Sequence, residues 1–276
     1  MTHLHLVRAV FQPWLITPEA HGAVALQIAA KAGMIEPMAL REGVGACGED
    51  VELEQMEIRD GVAYIPVGGV MARKLGAMEK GAGAVDYCDI AEELCIAEED
   101  DSVLAIVLDM DTPGGTVNGC PELADVIANC TKPVVAYSAG MIASAGYWLA
   151  AACDKIVLSR SAEAGSIGVY CAHMDLTEYY YKLGVKVNLF ASGANKGAGF
   201  PGVPLTDDQR TTIRDDVMRM ASEFKAHVTT NRPDVPEAAM DGRMFGATQA
   251  LEIGLIDDVC SCVEDAGEMA LEMVRS

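Results

Sequence analysis

The middle of the chain alternates short apolar strands with helical patterns, and this alternation restricts the folds open to it. The run Val103-Leu-Ala-Ile-Val-Leu-Asp109 is almost continuously apolar, as expected of a strand that is buried on both faces. The predicted elements are strand 103–109, helix 119–129, strand 133–137, helix 144–152, strand 155–158, strand 166–172, helix 175–183 and strand 185–190. Such strands, alternating with helices, predict an α/β fold with a parallel-rich sheet.

Amphipathic helices are predicted on either side of this alternating region. Between Asp86 and Asp101, eight acidic and no basic residues accompany apolar residues at helical spacing, which indicates a helix with a solvated acidic face. Thr206 and Gln209 form a capping box, and the apolar residues that follow lie on one helical face. A helix of about two dozen residues is therefore predicted to begin there.

The N-terminal part of the chain has a different composition. Residues 18–31 have helical spacing, and residues 41–57 mix glycine with acids as a linker does. We therefore expect a leader and linker over residues 1–57 and one α/β domain over residues 58–276. No long apolar run and no signal peptide are recognisable, so we interpret the chain as cytoplasmic, without a membrane partner.

The composition argues against several classes of function. The net charge of −21 provides no basic patch for a phosphate backbone, so nucleic acid is not an expected partner. An odd number of cysteines, without metal-ligand spacing, stands at positions 47, 88, 95, 120, 130, 153, 171, 260 and 262. We interpret these as reduced thiols in a cytosol. We expect neither a metal site nor a cofactor.

Ser144 is the candidate nucleophile. It follows a β-branched strand and small residues, and it begins a helical pattern. A serine in the first turn of a helix lies near backbone N–H groups that favour the negative charge of acyl transfer. Upstream, Gly114 and Gly115 follow the 103–109 strand, where paired glycines allow backbone amides to approach a ligand.

A serine nucleophile needs a base, usually histidine or an uncharged lysine. His173 lies at the end of the predicted strand 166–172, so a Ser-His-Asp triad that uses it is an alternative. Lys196 lies in a glycine-rich loop that follows a predicted strand. To act as a base, this amine must lose its proton, so the loop is expected to bury Lys196 among apolar groups.

Four short motifs occur in one order along the chain, followed by a longer tail over 241–257: Pro113-Gly114-Gly115, Ala143-Ser-Ala-Gly-Tyr-Trp148, Gly165-Ser-Ile-Gly-Val169 and Ser192-Gly-Ala-Asn-Lys196. Together they resemble the signal peptide peptidase A family of Ser/Lys peptidases, most of all its phage capsid-assembly (prohead) branch. The resemblance implies a Clp protease/crotonase-like repeated ββα core, with a helical leader and C-terminal helices around it. Ala145 departs from the family pattern, which prefers glycine there.

The resemblance also implies a role for each motif. Ser144 would be the nucleophile, Lys196 the base and Ser166 the hydroxyl that orients the lysine. The oxyanion hole would combine the N–H of Gly114 or Gly115 with that of Ala145. The substrate-binding residues would be Ile167, Gly168 and Val169, in a strand that pairs with an extended peptide. Small residues around the nucleophile predict cleavage after small or medium apolar residues.

The function expected from this resemblance is that of a serine endopeptidase of phage head maturation, forming a homo-oligomer and cleaving scaffold or capsid proteins in the host cytoplasm or the prohead. A cytoplasmic signal peptide peptidase A-like enzyme that degrades peptides is the first alternative. An inactive, ring-forming assembly component is the second. The third is an acyl-CoA enzyme of the crotonase type. It is disfavoured because such enzymes use carboxylates at the positions where this chain has serine and lysine.

Overall fold

The computed structural model of the chain describes residues 14–16 and 55–275. Its strands are β1 (Trp14–Ile16), β2 (Glu57–Arg59), β3 (Val62–Gly68), β4 (Met71–Ala72), β5 (Val85–Asp86), β6 (Ala105–Asp111), β7 (Gly114–Thr116), β8 (Val134–Ser138), β9 (Met141–Ala143), β10 (Lys155–Ser159), β11 (Glu163–Gly165), β12 (Met244–Gly246) and β13 (Asp258–Cys260). The predicted leader helix over 18–31 lies outside the described residues, so the proposed division at residue 57 stays a prediction.

The helices surround these strands. They are α1 (Ala77–Lys80), α2 (Tyr87–Glu99), α3 (Cys120–Ala128), α4 (Ala145–Ala151), α5 (Thr177–Lys182), α6 (Asp207–Asn231), α7 (Ala247–Glu252) and α8 (Val263–Arg275), with a short 3-10 helix at Glu237–Ala239. The acidic helix and the capped long helix are thus confirmed as α2 and α6. Thr206 accepts from the Gln209 N–H, and the Gln209 side chain accepts from the Thr206 N–H.

A six-stranded main sheet runs in the order β13-β10-β8-β6-β3-β2. All of its strand pairs are parallel except that between β2 and β3. The predicted α/β fold with a parallel-rich sheet is therefore confirmed. No helix in the described ranges is both long and apolar enough to span a bilayer.

Strand β6 shows why its run is continuously apolar. Ile106, Leu108 and Met110 belong to the core on one face of the sheet, which includes buried residues of α2, α3 and α4. Ala105 and Val107 belong to a second core on the other face, completed by buried alanines of α8. Because successive side chains of a strand point to opposite faces, both faces of β6 must be apolar.

Two smaller sheets lie beside the main one. One has the order β1-β7-β4-β5 and the other β12-β11-β9. In the first, β1 is antiparallel to β7 and β4 is parallel to it. In the second, β9 and β11 are parallel. Except for Lys196, the residues expected to form the site lie in β7 or directly after β9 and β11.

Two predicted strands were wrong. Residues 166–172 have strand composition, but β11 ends before them at Gly165, and positive φ angles of 136° at Gly165 and 54° at Ser166 turn the chain out of the ladder. Residues 185–190 also form no strand, although Val185 and Leu189 alternate with polar neighbours. Both of these side chains are exposed, so this segment has no neighbouring face that would fix an extended conformation.

Candidate active site

Ser144 lies at the junction of β9 and α4, where a backbone turn presents its side chain. Its φ of 56° and ψ of −113° are unusual for a residue with a side chain. The residue is only 1% exposed, and its Oγ has no hydrogen-bond partner within 14–16 and 55–275. A buried hydroxyl without a partner is costly, and it is available to an incoming group.

Ser166 lies beside Ser144 because of the strand register. Ala143 pairs with Gly165, and the N–H of Ser144 donates to the Gly165 carbonyl at 2.8 Å. Ser166 is buried and also has a positive φ, and its N–H donates to the carbonyl of Arg243 at 2.7 Å. The structure therefore brings together two of the three residues expected to carry the chemistry.

The loop before β7 is bonded to the strand that carries Ser144. The N–H of Thr112 donates to the Met141 carbonyl, and the Thr112 carbonyl accepts from the Ala143 N–H. The Thr112 Oγ1 donates to the Gly69 carbonyl at 2.7 Å and accepts from the Gly114 N–H at 3.1 Å. The predicted oxyanion donor at Gly114 is thus held next to the nucleophile strand, and its N–H is bonded to Thr112 in this state.

Helix α4 is anchored firmly below Ser144. The Trp148 ring stacks on Phe224 of α6, with ring centroids 4.6 Å apart, and the His227 ring nitrogen Nε2 lies 2.9 Å from the Trp148 carbonyl oxygen. Burial lowers the pKa of His227 below its ordinary value of 6.5. Tyr147 is buried on the other side and donates to the Leu255 carbonyl at 2.7 Å. These contacts fix the first turn of α4, which carries Ala145.

Cys120 lies next to the first turn of this helix, with its Sγ 3.7 Å from the Ala145 carbonyl oxygen. It is fully buried, and burial raises the pKa of Cys120 far above its ordinary value of 9.0. The thiolate is the reactive form of cysteine, so Cys120 stays an unreactive thiol. The cysteine next to the site is a packing residue.

Lys196 lies in a turn, and its side chain is exposed in the single chain. The expected burial of Lys196 is therefore wrong for an isolated copy, because no described residue of the same chain covers this side chain. Its amine does not reach Ser144, since the Ser144 Oγ has no hydrogen-bond partner in the described part of the chain. The loop itself is tied to α6, where Gln209 donates to the Ala194 carbonyl at 2.5 Å.

His173, the alternative base, lies against the same loop. A Cβ added to Gly199 would lie 3.4 Å from the His173 ring. Like Lys196, His173 gives no hydrogen bond to the Ser144 Oγ. Neither candidate base is therefore hydrogen-bonded to the nucleophile within the described part of one copy.

The expected substrate-binding residues Ile167, Gly168 and Val169 follow Ser166 directly. Ile167 is fully buried, whereas Gly168 and Val169 are half-buried. They form no strand in this state, in contrast to the prediction. Their role in binding a peptide stays a prediction.

Two positioning residues were not singled out from the sequence. Thr112 stands directly before the Pro113-Gly114-Gly115 motif, and its side chain bonds both Gly69 and Gly114. Arg243 supplies the carbonyl that holds Ser166, and a Cβ on Gly165 would lie 2.5 Å from that carbonyl oxygen. Its place in the motif tail over 241–257 was the only signal in the sequence.

No group of three or more potential metal ligands occurs within the described ranges.

Comparison with known proteins supports a peptidase. The model of peptidase family S49 matches residues 128–273, which include both serines and Lys196. The Clp protease model matches residues 81–163, which include the paired glycines and Ser144. Both matches cover residues 128–163, which include Ser144.

Similar proteins of known name occur in phages and in cells. The capsid assembly protease C of Escherichia phage lambda is 33% identical over 212 residues, covering 75% of this chain and 48% of that protein. The head-tail preconnector protein GP5 of Enterobacteria phage P21 is 30% identical, covering 76% and 43%. A putative protease of Methanocaldococcus jannaschii is 32% identical, covering 63% and 56%. The chain spans about half the length of these relatives.

Proposed function

Because the chain belongs to peptidase family S49, as the match over residues 128–273 shows, we propose that it is a serine endopeptidase of phage head maturation. The observation that carries this proposal is the buried Ser144 Oγ, unpartnered within the described residues, at a strained junction of strand and helix. Strain of this kind is concentrated at functional sites.

In the proposed mechanism, Ser144 attacks the peptide carbonyl while its proton passes to the neutral amine of Lys196. The lysine then gives this proton to the leaving amine. Water hydrolyses the acyl-enzyme by the same relay in reverse. Ser166 lies beside Ser144 by strand register and would hold the lysine amine by a hydrogen bond.

The oxyanion would be bound by the N–H groups of Ala145 and Gly114. The first N–H groups of a helix have no partner within the helix, which favours Ala145 as a donor. The Gly114 N–H must turn from the Thr112 Oγ1 to the oxyanion when the substrate binds. Thr112 would thus keep the loop in place before the reaction.

Assembly of several copies would complete the dyad. The segment that carries Lys196 exposes many large apolar side chains: Met174, Tyr179, Tyr181, Leu183, Val185, Leu189, Phe190 and Phe200. Large apolar side chains exposed in such number along one segment suggest a protein interface. We propose that a homo-oligomer covers it, and that burial there gives Lys196 the uncharged amine that a base needs.

The proposed substrates are scaffold or capsid proteins. This rests on the similarity to phage lambda capsid assembly protease C over 75% of this chain. The net charge of −21 gives no support to a nucleic acid partner. Its site of action would be the host cytoplasm or the prohead.

A second candidate is a cellular peptidase that degrades peptides. It is favoured by the similarity to a putative signal peptide peptidase SppA of Enterococcus faecium, 29% identical over 59% of this chain. The chemistry would be the same, and the substrate would be different.

The proposal is tested with a fluorophosphonate, which labels activated serines, and with two kinds of substrate. We expect labelling at Ser144 alone, lost in Ser144→Ala and reduced in Lys196→Ala. Purified scaffold protein of a tailed phage should be cut at a few sites. Signal-peptide fragments should be cut slowly. If the fragments are cut rapidly and the scaffold protein stays intact, the cellular peptidase is favoured. If no serine is labelled, the proposal that the chain is a serine peptidase is contradicted.

A further inference from the structure

Strand β1 occupies one of the two edges of β7. Met71 of β4 pairs with Gly115 on one edge, and Leu15 of β1 pairs with the same residue on the other. A peptide that adds to an exposed strand must use a free edge. A substrate can therefore join β7 only where β1 now lies.

β1 runs antiparallel to β7, which is also the direction that a bound substrate would take. If the reacting carbonyl lies at the Gly114 N–H and the peptide is antiparallel to β7, its two preceding residues must lie opposite Gly115 and Thr116. In β1, Ile16 pairs with Gly114, Leu15 with Gly115 and Trp14 with Thr116. β1 thus places Ile16 where the residue before the cleaved bond would lie, while the Gly114 N–H stays bonded to the Thr112 Oγ1.

We propose that residues Trp14–Ile16 are an internal, substrate-like ligand of the β7 edge, and that they block the site until the N-terminal segment leaves. The expected effect on activity rests on the proposed function. The pairing of β1 with β7 does not depend on it. It also indicates the substrate class: an extended apolar segment with a branched aliphatic residue opposite Gly114.

A disulfide can lock the strand in place. Directly opposed residues of an antiparallel pair have Cα atoms about 4.5–5.5 Å apart, within the range of a disulfide. We would make Trp14→Cys/Thr116→Cys in the full chain, with Trp14→Cys/Val117→Cys as an out-of-register control. Wild type is oxidised in parallel because Cys88 and Cys95 are exposed.

We expect the 14–116 disulfide to form readily, as found by mass spectrometry of tryptic peptides, and the out-of-register one to form poorly. Cleavage of unfolded casein should fall at least about tenfold on oxidation and return on reduction, as expected when about 1.4 kcal/mol or more favours the blocked state. Failure of the 14–116 disulfide to form, or an oxidised protein that cuts casein at the reduced rate, would overturn the proposal. If the disulfide forms and neither state cuts casein, the pairing stands and the peptidase proposal fails.

A second variant pair releases the strand. Successive N–H groups of a strand point in opposite directions, so the double variant Leu15→Pro/Ile16→Pro removes whichever one bonds to β7. Leu15→Val/Ile16→Val keeps the strand and is the matched control. We expect faster casein cleavage and faster amide exchange over residues 114–116 in the proline variant only. Slower cleavage by a folded proline variant, or unchanged exchange, would show that β1 supports the site instead of blocking it.

Discussion

The backbone N–H of Ser144 donates to the carbonyl oxygen of Gly165 at 2.8 Å, and through this bond the two serines of the site become neighbours. Ser144 directly follows β9 and Ser166 directly follows β11, and both have positive φ angles. The parallel register of the two strands thus sets the geometry of the proposed catalytic group.

Gly165→Ala should abolish most of the activity and destabilise the protein by about 1–3 kcal/mol, because the new Cβ meets a positive φ. That Cβ would lie 2.5 Å from the Arg243 carbonyl oxygen, and the φ of Gly165 is 136°. Gly246→Ala is the control, since no atom lies within 4 Å of its Cβ and its φ is −63°. Urea unfolding and casein cleavage measure both effects. Equal stability of the two variants would contradict this account of Gly165.

Thr112→Val should keep the shape of the side chain but lose both hydrogen bonds of the Oγ1, to Gly69 and from Gly114. We expect a loss of about 1–3 kcal/mol in the free energy of unfolding, since buried polar groups lose their partner. The kcat for casein should also fall, because the oxyanion loop is no longer held beside β9. Thr112→Ser should restore both quantities. A fully active valine variant would exclude this positioning role.

The buried His227 should make stability depend on pH. Its folded-state pKa lies below the ordinary value of 6.5, so the unfolded chain binds this proton more readily. His227 therefore has no effect above that value, and it lowers stability as the pH falls through 6.5 towards the folded-state pKa. His227→Gln, which can still donate to the Trp148 carbonyl, should lose less stability over that interval. Identical pH profiles of urea unfolding in the two proteins would refute this prediction.

Thiol reagents should leave the activity intact. Cys120 is fully buried, and its raised pKa keeps the thiol protonated. N-ethylmaleimide should therefore modify exposed cysteines without stopping casein cleavage, as shown by mass spectrometry and rate measurements on the same sample. Inactivation that parallels alkylation of Cys120 would point to a thiol nucleophile.

The sequence was informative where local pattern decides the structure. The continuously apolar run around Leu108 predicted a buried strand, and the Thr206 capping box predicted the start of α6, since both depend on nearby residues. The end of β11 could not be predicted, because the positive φ of Ser166 depends on the Arg243 carbonyl, far along the chain. The pairing of β1 with β7 joins residues about a hundred positions apart and has no local signal.

The candidate site shows the same limit. Ser144 was recognisable from small residues between a strand and a helix, and the structure places it there. The exposure of Lys196 was not predictable, because the burial of a loop side chain depends on what packs against it, and within one copy no described residue covers the Lys196 side chain. The covering surface must come from outside the described chain if the lysine acts as the base.

The most direct test of the Ser/Lys mechanism compares casein cleavage by wild type, Ser144→Ala, Lys196→Ala and His173→Ala under identical conditions, with products identified by mass spectrometry. We predict that wild type and His173→Ala cut casein, that Ser144→Ala does not, and that Lys196→Ala is slower by about 10²–10⁴-fold, as expected for loss of a general base. Full activity of Lys196→Ala together with an inactive His173→Ala would contradict the mechanism and replace the lysine with the histidine.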